Sequence, residues 1–150
     1  MSLGEGPDRD RVGSRREPAA GPAPIVVTAA VIERDGAFLL TRRLEGTHLE
    51  GHWEFPGGKC ERGETLEQCL ARELREELGV EASVGDEVFS VRHAYAGRTV
   101  QLHFFACEIH GVPIAMLGQQ MRWVPRGELT TLPFPDADAA LIEQLSARSS

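Results

Sequence analysis

A leucine recurs at every fourth position in one stretch of the chain, and the four residues are Leu66, Leu70, Leu74 and Leu78. This spacing puts all four on one face of an α-helix, where they form an apolar stripe. Thr65 and Gln68 have the spacing of a capping box at the helix start, and Gly79 stands where a glycine commonly ends a helix. We therefore predict a helix over residues 66–78 whose leucine stripe packs on a sheet.

Three glutamates of this helix, Glu73, Glu76 and Glu77, fall within an arc of roughly 100°. Glu77 projects into the leucine stripe, where a carboxylate is costly to bury unless it is paired or bound to a metal. Carboxylates three and four residues apart also repel each other, and a cation would offset that repulsion. A solvated acidic face is the ordinary alternative; it suits Glu67 and Glu76 but suits Glu77 poorly. Oxygen ligands of this kind favour a hard ion, Mg²⁺ or Mn²⁺.

The residues in and around this helix resemble the Nudix box. The fixed positions of that motif are filled by Gly58, Glu64, Arg72, Glu73, Leu74, Glu76, Glu77, Gly79 and Val80. The likeness continues through Trp53–Lys59 before the box and onward to Leu145, and it is similar to the MutT-like branch of the family. This resemblance implies an α/β fold, namely an α/β/α sandwich with a mixed β-sheet and a loop–helix–loop catalytic unit.

The resemblance also implies an activity, the metal-dependent hydrolysis of a nucleoside triphosphate to a nucleoside monophosphate and pyrophosphate. Metal ions would bridge the phosphates and activate water for in-line attack. The implied metal ligands are the carbonyl of Gly57 and the carboxylates of Glu73, Glu76 and Glu77. Glu73 is alternatively the base that deprotonates water, while Arg72 and Glu64 would orient the carboxylates.

A second group of residues is implied to bind the substrate. Its members are Arg42, Arg43, Phe55, Gly58, Lys59, Tyr95 and Asp138. The two arginines are candidates for phosphate contact, and a solvated strand end is their ordinary alternative. Asp138 stands where MutT-like proteins hydrogen-bond the base, and its alternative is a cap of the final helix. An ionised Asp only accepts hydrogen bonds, so we expect an oxidised purine such as 8-oxo-dGTP first and CTP or a modified dCTP second.

One position departs from the family pattern. Leu117 stands before Gly118 and Gln119, where MutT-like relatives carry a glutamate that helps to hold metal. Two alternatives for the function stay open, another nucleoside-diphosphate-linked substrate and a nucleotide-sensing Nudix domain without catalysis.

Charge and composition limit the partners. The net charge of −7 gives none of the basic surface of a nucleic-acid binder, and no apolar run approaches the roughly 18 residues that span a bilayer. We expect a cytoplasmic monomer or weak dimer that binds a small-molecule nucleotide, with no nucleic-acid polymer and no membrane as partner. The odd cysteine count (Cys60, Cys69 and Cys107), without a CxxC pair, predicts reduced thiols, with Cys69 buried as a small hydrophobe.

The chain divides near residue 24. Residues 1–24 are rich in Gly, Pro and Arg and have almost no large apolar side chains, which predicts a disordered N-terminal tail. Their acidic residues argue against a mitochondrial transit peptide, the alternative that the arginines suggest. Residues 25–147 are predicted to form one domain.

Within that domain, turn residues separate the predicted strands. Asp35-Gly36 and Ala96-Gly97 each stand between β-prone runs and predict two hairpins. A short strand is predicted over residues 121–124, followed after Pro135 by a helix that buries Leu141 and Leu145.

Overall fold

The computed structural model describes residues 23–148, which fold into two sheets and two α-helices. The first five strands are β1 (Ile25–Val31), β2 (Glu33–Arg34), β3 (Ala37–Arg42), β4 (Trp53–Glu54) and β5 (Gly57–Lys59). Helix α1 (Leu66–Leu78) follows, and then β6 (Glu81–Tyr95), β7 (Arg98–His110), β8 (Met121–Pro125) and α2 (Ala139–Ser146). Short 3₁₀ turns at Arg126–Thr131 and Asp136–Asp138 connect β8 to α2.

One sheet is mixed and the other is antiparallel. The mixed sheet has the order β5-β1-β7-β6, in which β1 and β7 are parallel and the other pairs are antiparallel. In the second sheet β3 pairs with β2, β4 and β8. Alternate side chains of β1, β3 and β7 enter two separate cores, one with the leucines of α1 and the other with Leu141, Ile142 and Leu145 of α2. The predicted α/β fold with helices on both faces is confirmed.

Both predicted hairpins are present, and the left-handed backbone of each turn accounts for the glycine at its second position. Asp35 and Gly36 have φ of 54° and 77°, and Ala96 and Gly97 have φ of 43° and 82°. Two successive left-handed residues match the right-handed twist of the flanking strands in a two-residue hairpin.

Helix α1 also forms as predicted. Thr65 and Gln68 make the capping box, and Gly79 ends the helix in the left-handed conformation. Leu70, Leu74 and Leu78 are fully buried. Helix α2 buries Leu141 and Leu145 as expected, and Asp138 occupies its N-cap position, but the Asp138 side chain makes no capping hydrogen bond.

The cysteines differ from the prediction. Cys60, after β5, and Cys69, in the second turn of α1, form a disulfide, so the expectation of reduced thiols is wrong for this pair. The pair escaped sequence analysis because nine residues separate its members and only the packing of the loop on the helix brings them together. Cys107 is free, as expected, and it is also buried. The predicted burial of Cys69 is confirmed.

Two further predictions concern the N-terminal tail and membrane-spanning helices. The predicted N-terminal tail lies outside the described residues, apart from residues 23 and 24. Among residues 23–148, no helix is long and apolar enough to cross a membrane.

Candidate active site

The carboxylate of Glu77, in the last turn of α1, faces the start of β5. Its Oε1 accepts a hydrogen bond from the Gly57 N–H at 3.3 Å. The chain can pass this close because two successive residues lack a side chain. A Cβ on Gly57 would overlap the Thr28 carbonyl of the neighbouring strand, and one on Gly58 would overlap the Glu73 carboxylate. The glycine pair therefore lets the strand lie between β1 and the acidic face of α1.

Glu77 is an acid in an unfavourable place for its charge. Burial, and then the charges of Glu54 and Glu73, raise its pKa from 4.5 to about 8. Only the Gly57 hydrogen bond and the charge of Arg43 act in the opposite direction. A cation at this carboxylate would offset both the burial and the repulsion.

Arg72 organises the other carboxylates of the box. Its guanidinium donates two hydrogen bonds to Glu64, at 2.6 and 3.0 Å, and a third to the Lys59 carbonyl at 3.1 Å. Its Nη1 also donates to Glu73 at 2.9 Å and to Glu76 at 3.2 Å. The Arg72 hydrogen bond, helped by a backbone N–H, lowers the Glu64 pKa to about 2. Arg72 thereby links the loop before α1 to the face of the helix that carries the glutamates.

The four predicted metal ligands lie around the junction of α1 and β5, but their oxygens do not converge on one point. Glu73 packs against Gly58, and its pKa is raised by burial. The Glu76 side chain is 58% exposed and directed to Arg72. Within residues 23–148, no three His, Cys, Asp or Glu side chains gather as a ready metal site.

A cavity of about 380 Å³ opens on one side of Glu77. Its lining includes most of the residues predicted to bind substrate: Arg43, Phe55, Gly58, Lys59, Tyr95 and Asp138. Its walls combine aliphatic side chains of β1 and β7 with the rings of Phe55, Phe104 and Tyr95. The Tyr95 ring packs edge-on against His48, with 5.4 Å between the ring centroids. The cavity is therefore shaped to hold a flat apolar group with a few polar contacts.

A smaller cavity of about 120 Å³ lies beside the same carboxylate. It is lined by Thr41, Arg42, Arg43, Leu44, Thr47, Glu54, Glu77, Leu117 and Gln119. Arg43, Glu54 and Glu77 line both cavities. Arg42 lines only the smaller of these two, and its guanidinium donates hydrogen bonds to the Gly51 carbonyl and the Gln120 side chain, which lie outside it.

Two further acids, Glu54 and Asp138, line the larger cavity, and the sequence analysis predicted only Asp138 as a site residue. Asp138 is 4% exposed, and burial together with the charge of Glu54 raises its pKa to about 7. Burial also raises the pKa of Glu54, against the ion pair that it makes with Arg43 at 3.3 Å. Glu54 lies between the buried Trp53 and Phe55. Successive side chains of an extended segment point to opposite faces, so the sequence already indicated that Glu54 faces away from these two aromatic residues.

The site can be compared with known proteins. The NUDIX domain family matches residues 27–144. The chain is 43% identical over 124 residues to the CTP pyrophosphohydrolase of Escherichia coli (strain K12), covering 82% of this chain and 92% of that protein. It is 38% identical over 123 residues to the 8-oxo-dGTP diphosphatase of Haemophilus influenzae, covering 81% and 90%. The solution structure of the E. coli ORF135 protein superposes with a TM-score of 0.72 at 42% identity, covering 82% of this chain and 91% of that one.

Proposed function

The chain belongs to the Nudix family of hydrolases, and on that premise we propose that it hydrolyses a nucleoside triphosphate to the monophosphate and pyrophosphate with a divalent cation. The observation that carries this proposal is the position of the Glu77 carboxylate, which lines both the larger and the smaller cavity. A nucleotide whose base occupies the larger cavity would bring its phosphates past Glu77 and Arg43. The complete set of box residues disfavours a nucleotide-sensing domain without catalysis.

The donor chemistry fits a hard cation, Mg²⁺ or Mn²⁺. The candidate ligands are all oxygens, and Glu77 is buried beside two further carboxylates. The residues that would hold the ion are Gly57, through its carbonyl, and Glu73, Glu76 and Glu77. When bound, the cation supplies positive charge that neutralises the phosphates and makes a water molecule more acidic. Arg72 and Glu64 keep the carboxylates in place, and Glu73 is the candidate base for the attacking water.

For the base, the first candidate is an oxidised purine such as that of 8-oxo-dGTP. Asp138 offers hydrogen-bond acceptors in the larger cavity, and a guanine-type base carries adjacent N–H donors on its pairing edge. Phe55 and Tyr95 provide apolar walls for the ring. The H. influenzae relative is named as an 8-oxo-dGTP diphosphatase.

A cytosine nucleotide is the second candidate, and the Glu54–Asp138 pair favours it. When one acid of such a pair is protonated and the other ionised, the pair offers a donor and an acceptor together. Cytosine presents the complement, an N4 amino donor beside the N3 acceptor. The E. coli relative is named as a CTP pyrophosphohydrolase.

A nucleotide panel tests the activity and separates the two bases. The substrates are 8-oxo-dGTP, dGTP, CTP and 5-methyl-dCTP, each with Mg²⁺ or Mn²⁺, and the products are resolved by chromatography. We expect a monophosphate and pyrophosphate from at least one of them, with no turnover in a chelator. Failure of all four substrates with both ions would reject the proposed class of reaction.

Glu77→Gln tests the mechanism. Because the amide cannot supply the negative charge that holds a cation, we expect kcat to fall by at least about 10²-fold while the fold is retained. The matched control is Glu67→Gln, an exposed glutamate of the same helix that should leave kcat unchanged. Undiminished turnover in folded Glu77→Gln protein would exclude Glu77 from the reaction.

A further inference from the structure

The segment between β7 and β8 closes the C-terminal end of α1. A helix leaves its last carbonyls without N–H partners from its own backbone. Here the Ile114 N–H donates to the Leu78 carbonyl at 2.8 Å, and the Met116 N–H donates to the Glu77 carbonyl at 3.0 Å. A third donor is a side chain, because Gln119 Nε2 also donates to the Glu77 carbonyl at 3.1 Å.

Gln119 is a buried polar residue, and both the nitrogen and the oxygen of its side-chain amide make hydrogen bonds. It is only 7% exposed, and its Oε1 accepts a hydrogen bond from the Leu117 N–H at 2.9 Å. The side chain thus ties the turn at Leu117 to the main chain of Glu77. Glu77 is then fixed twice, at its carbonyl by Gln119 and Met116 and at its carboxylate by the Gly57 N–H.

We propose that Gln119 is a positioning residue that holds the last turn of α1, and with it the Glu77 carboxylate, against β5. Its importance for turnover depends on the hydrolase function proposed above. Helix ends open more readily than helix centres, so losing one of the two donors to the Glu77 carbonyl loosens the turn that carries this carboxylate. Gln119 lines the smaller cavity and not the larger one, so we expect its substitution to leave base discrimination unchanged.

Gln119→Met tests the proposal, because Met has a similar length and no hydrogen-bonding amide. The first readout is the hydrogen exchange of the Gly57 amide by NMR in metal-free protein. We expect it to accelerate by about fivefold to tenfold, the equivalent of one neutral hydrogen bond. The second readout is kinetic: kcat should fall roughly tenfold to 10²-fold with little change in KM, as a misplaced reacting group produces.

Gln68→Met is the matched control at the other end of the same helix. It removes the Gln68 half of the capping box, so it weakens α1 far from Glu77. This control should leave Gly57 exchange and kcat at their wild-type values. An equal effect of Gln68→Met on both readouts would show that Gln119 only stabilises the helix, and would overturn the proposal.

Gln119→Glu tests the donated hydrogen bond to Glu77 separately from the hydrogen bond accepted from Leu117. Burial beside Glu77 favours the protonated acid, so both readouts are taken above the pKa of this new carboxyl. There the ionised side chain still accepts from the Leu117 N–H but cannot donate to the Glu77 carbonyl. We expect it to resemble Gln119→Met in both readouts, and wild-type behaviour would overturn the proposal. If the wild-type protein hydrolyses no nucleotide, the proposed function fails on its own, whereas Gly57 exchange still decides whether Gln119 positions Glu77.

Discussion

Asp138 holds a carboxyl group where its negative charge is unfavourable. Burial and the nearby charge of Glu54 raise its pKa from 3.8 to about 7. A proton bound to Asp138 therefore stabilises the fold, since the folded state binds it more tightly than the unfolded chain. This contribution is fully present below pH 3.8 and is lost as the pH rises through 7. Such a residue is unfavourable for stability at neutral pH, which is consistent with a role in binding.

Asp138→Asn should therefore stabilise the protein, and more so at high pH. The amide carries no charge, so we expect the gain in free energy of unfolding to be about 1 to 2 kcal/mol larger at pH 8 than at pH 5.5. Urea denaturation of both proteins at the two pH values measures it. The same substitution adds a donor and should change the ranking of substrates in the nucleotide panel. A gain independent of pH would mean that Asp138 is ionised throughout, and an unchanged ranking would remove it from the base site.

At the scale of single elements, the loop before α1 is tied to the helix by a disulfide. Cys60 and Cys69 close a short loop that includes Glu64, the partner of Arg72. Closing a loop of this size removes conformational freedom from the unfolded chain worth about 2 to 3 kcal/mol. The bridge also limits how far the loop can move from the face of α1.

Reduction of the disulfide should lower the free energy of unfolding by about 2 to 3 kcal/mol. Denaturant titrations with and without a thiol reductant measure the loss. Cys60→Ala serves as the control, because it should have the reduced stability under both conditions. Coincident curves for oxidised and reduced wild-type protein would show that the bridge adds nothing to stability.

Leu117 lies in the turn that Gln119 holds, and it lines the smaller cavity together with Glu77. It is 55% exposed, so a longer polar side chain can be accommodated there. Leu117→Glu should add a carboxylate to the cavity and lower the Mg²⁺ concentration needed for half-maximal rate. Met116→Glu is the control, since it adds the same charge one residue away at a position that does not line this cavity. Identical Mg²⁺ titrations for Leu117→Glu and the wild type would show that residue 117 does not reach the metal.

The elements that sequence analysis predicted correctly have local causes. The hairpin turns at Asp35-Gly36 and Ala96-Gly97 and both ends of α1 depend on residues adjacent in sequence. The disulfide depends on how the loop after β5 packs on α1, and the Glu54–Asp138 pair depends on packing between segments far apart in the sequence. No local pattern encodes either contact.

At the scale of the whole molecule, the site draws on both ends of the described chain. The parallel pairing of β1 with β7 places residues 25–31 beside residues 100–106, and β5 pairs on the other side of β1. This arrangement brings Gly57 to the last turn of α1. The connection into α2 then carries Asp138 to the cavity that Phe55 and Tyr95 line. Site and core therefore share the same strands, so a substitution in β1 affects both.

The central position of β1 also predicts where the chain can be shortened. Residues 1–22 are poor in large apolar side chains, so their removal withdraws little apolar surface from any core. We expect their deletion to leave the melting temperature and kcat/KM unchanged. Deletion of residues 1–31 should abolish folding, because it removes the strand that joins β5 to β7 and the buried Ala29 and Ala30. Thermal melts and the nucleotide assay compare both truncations with the full chain. A lower melting temperature after the shorter deletion would place part of residues 1–22 within the folded domain, and lower kcat/KM without a change in melting temperature would assign them a role at the site.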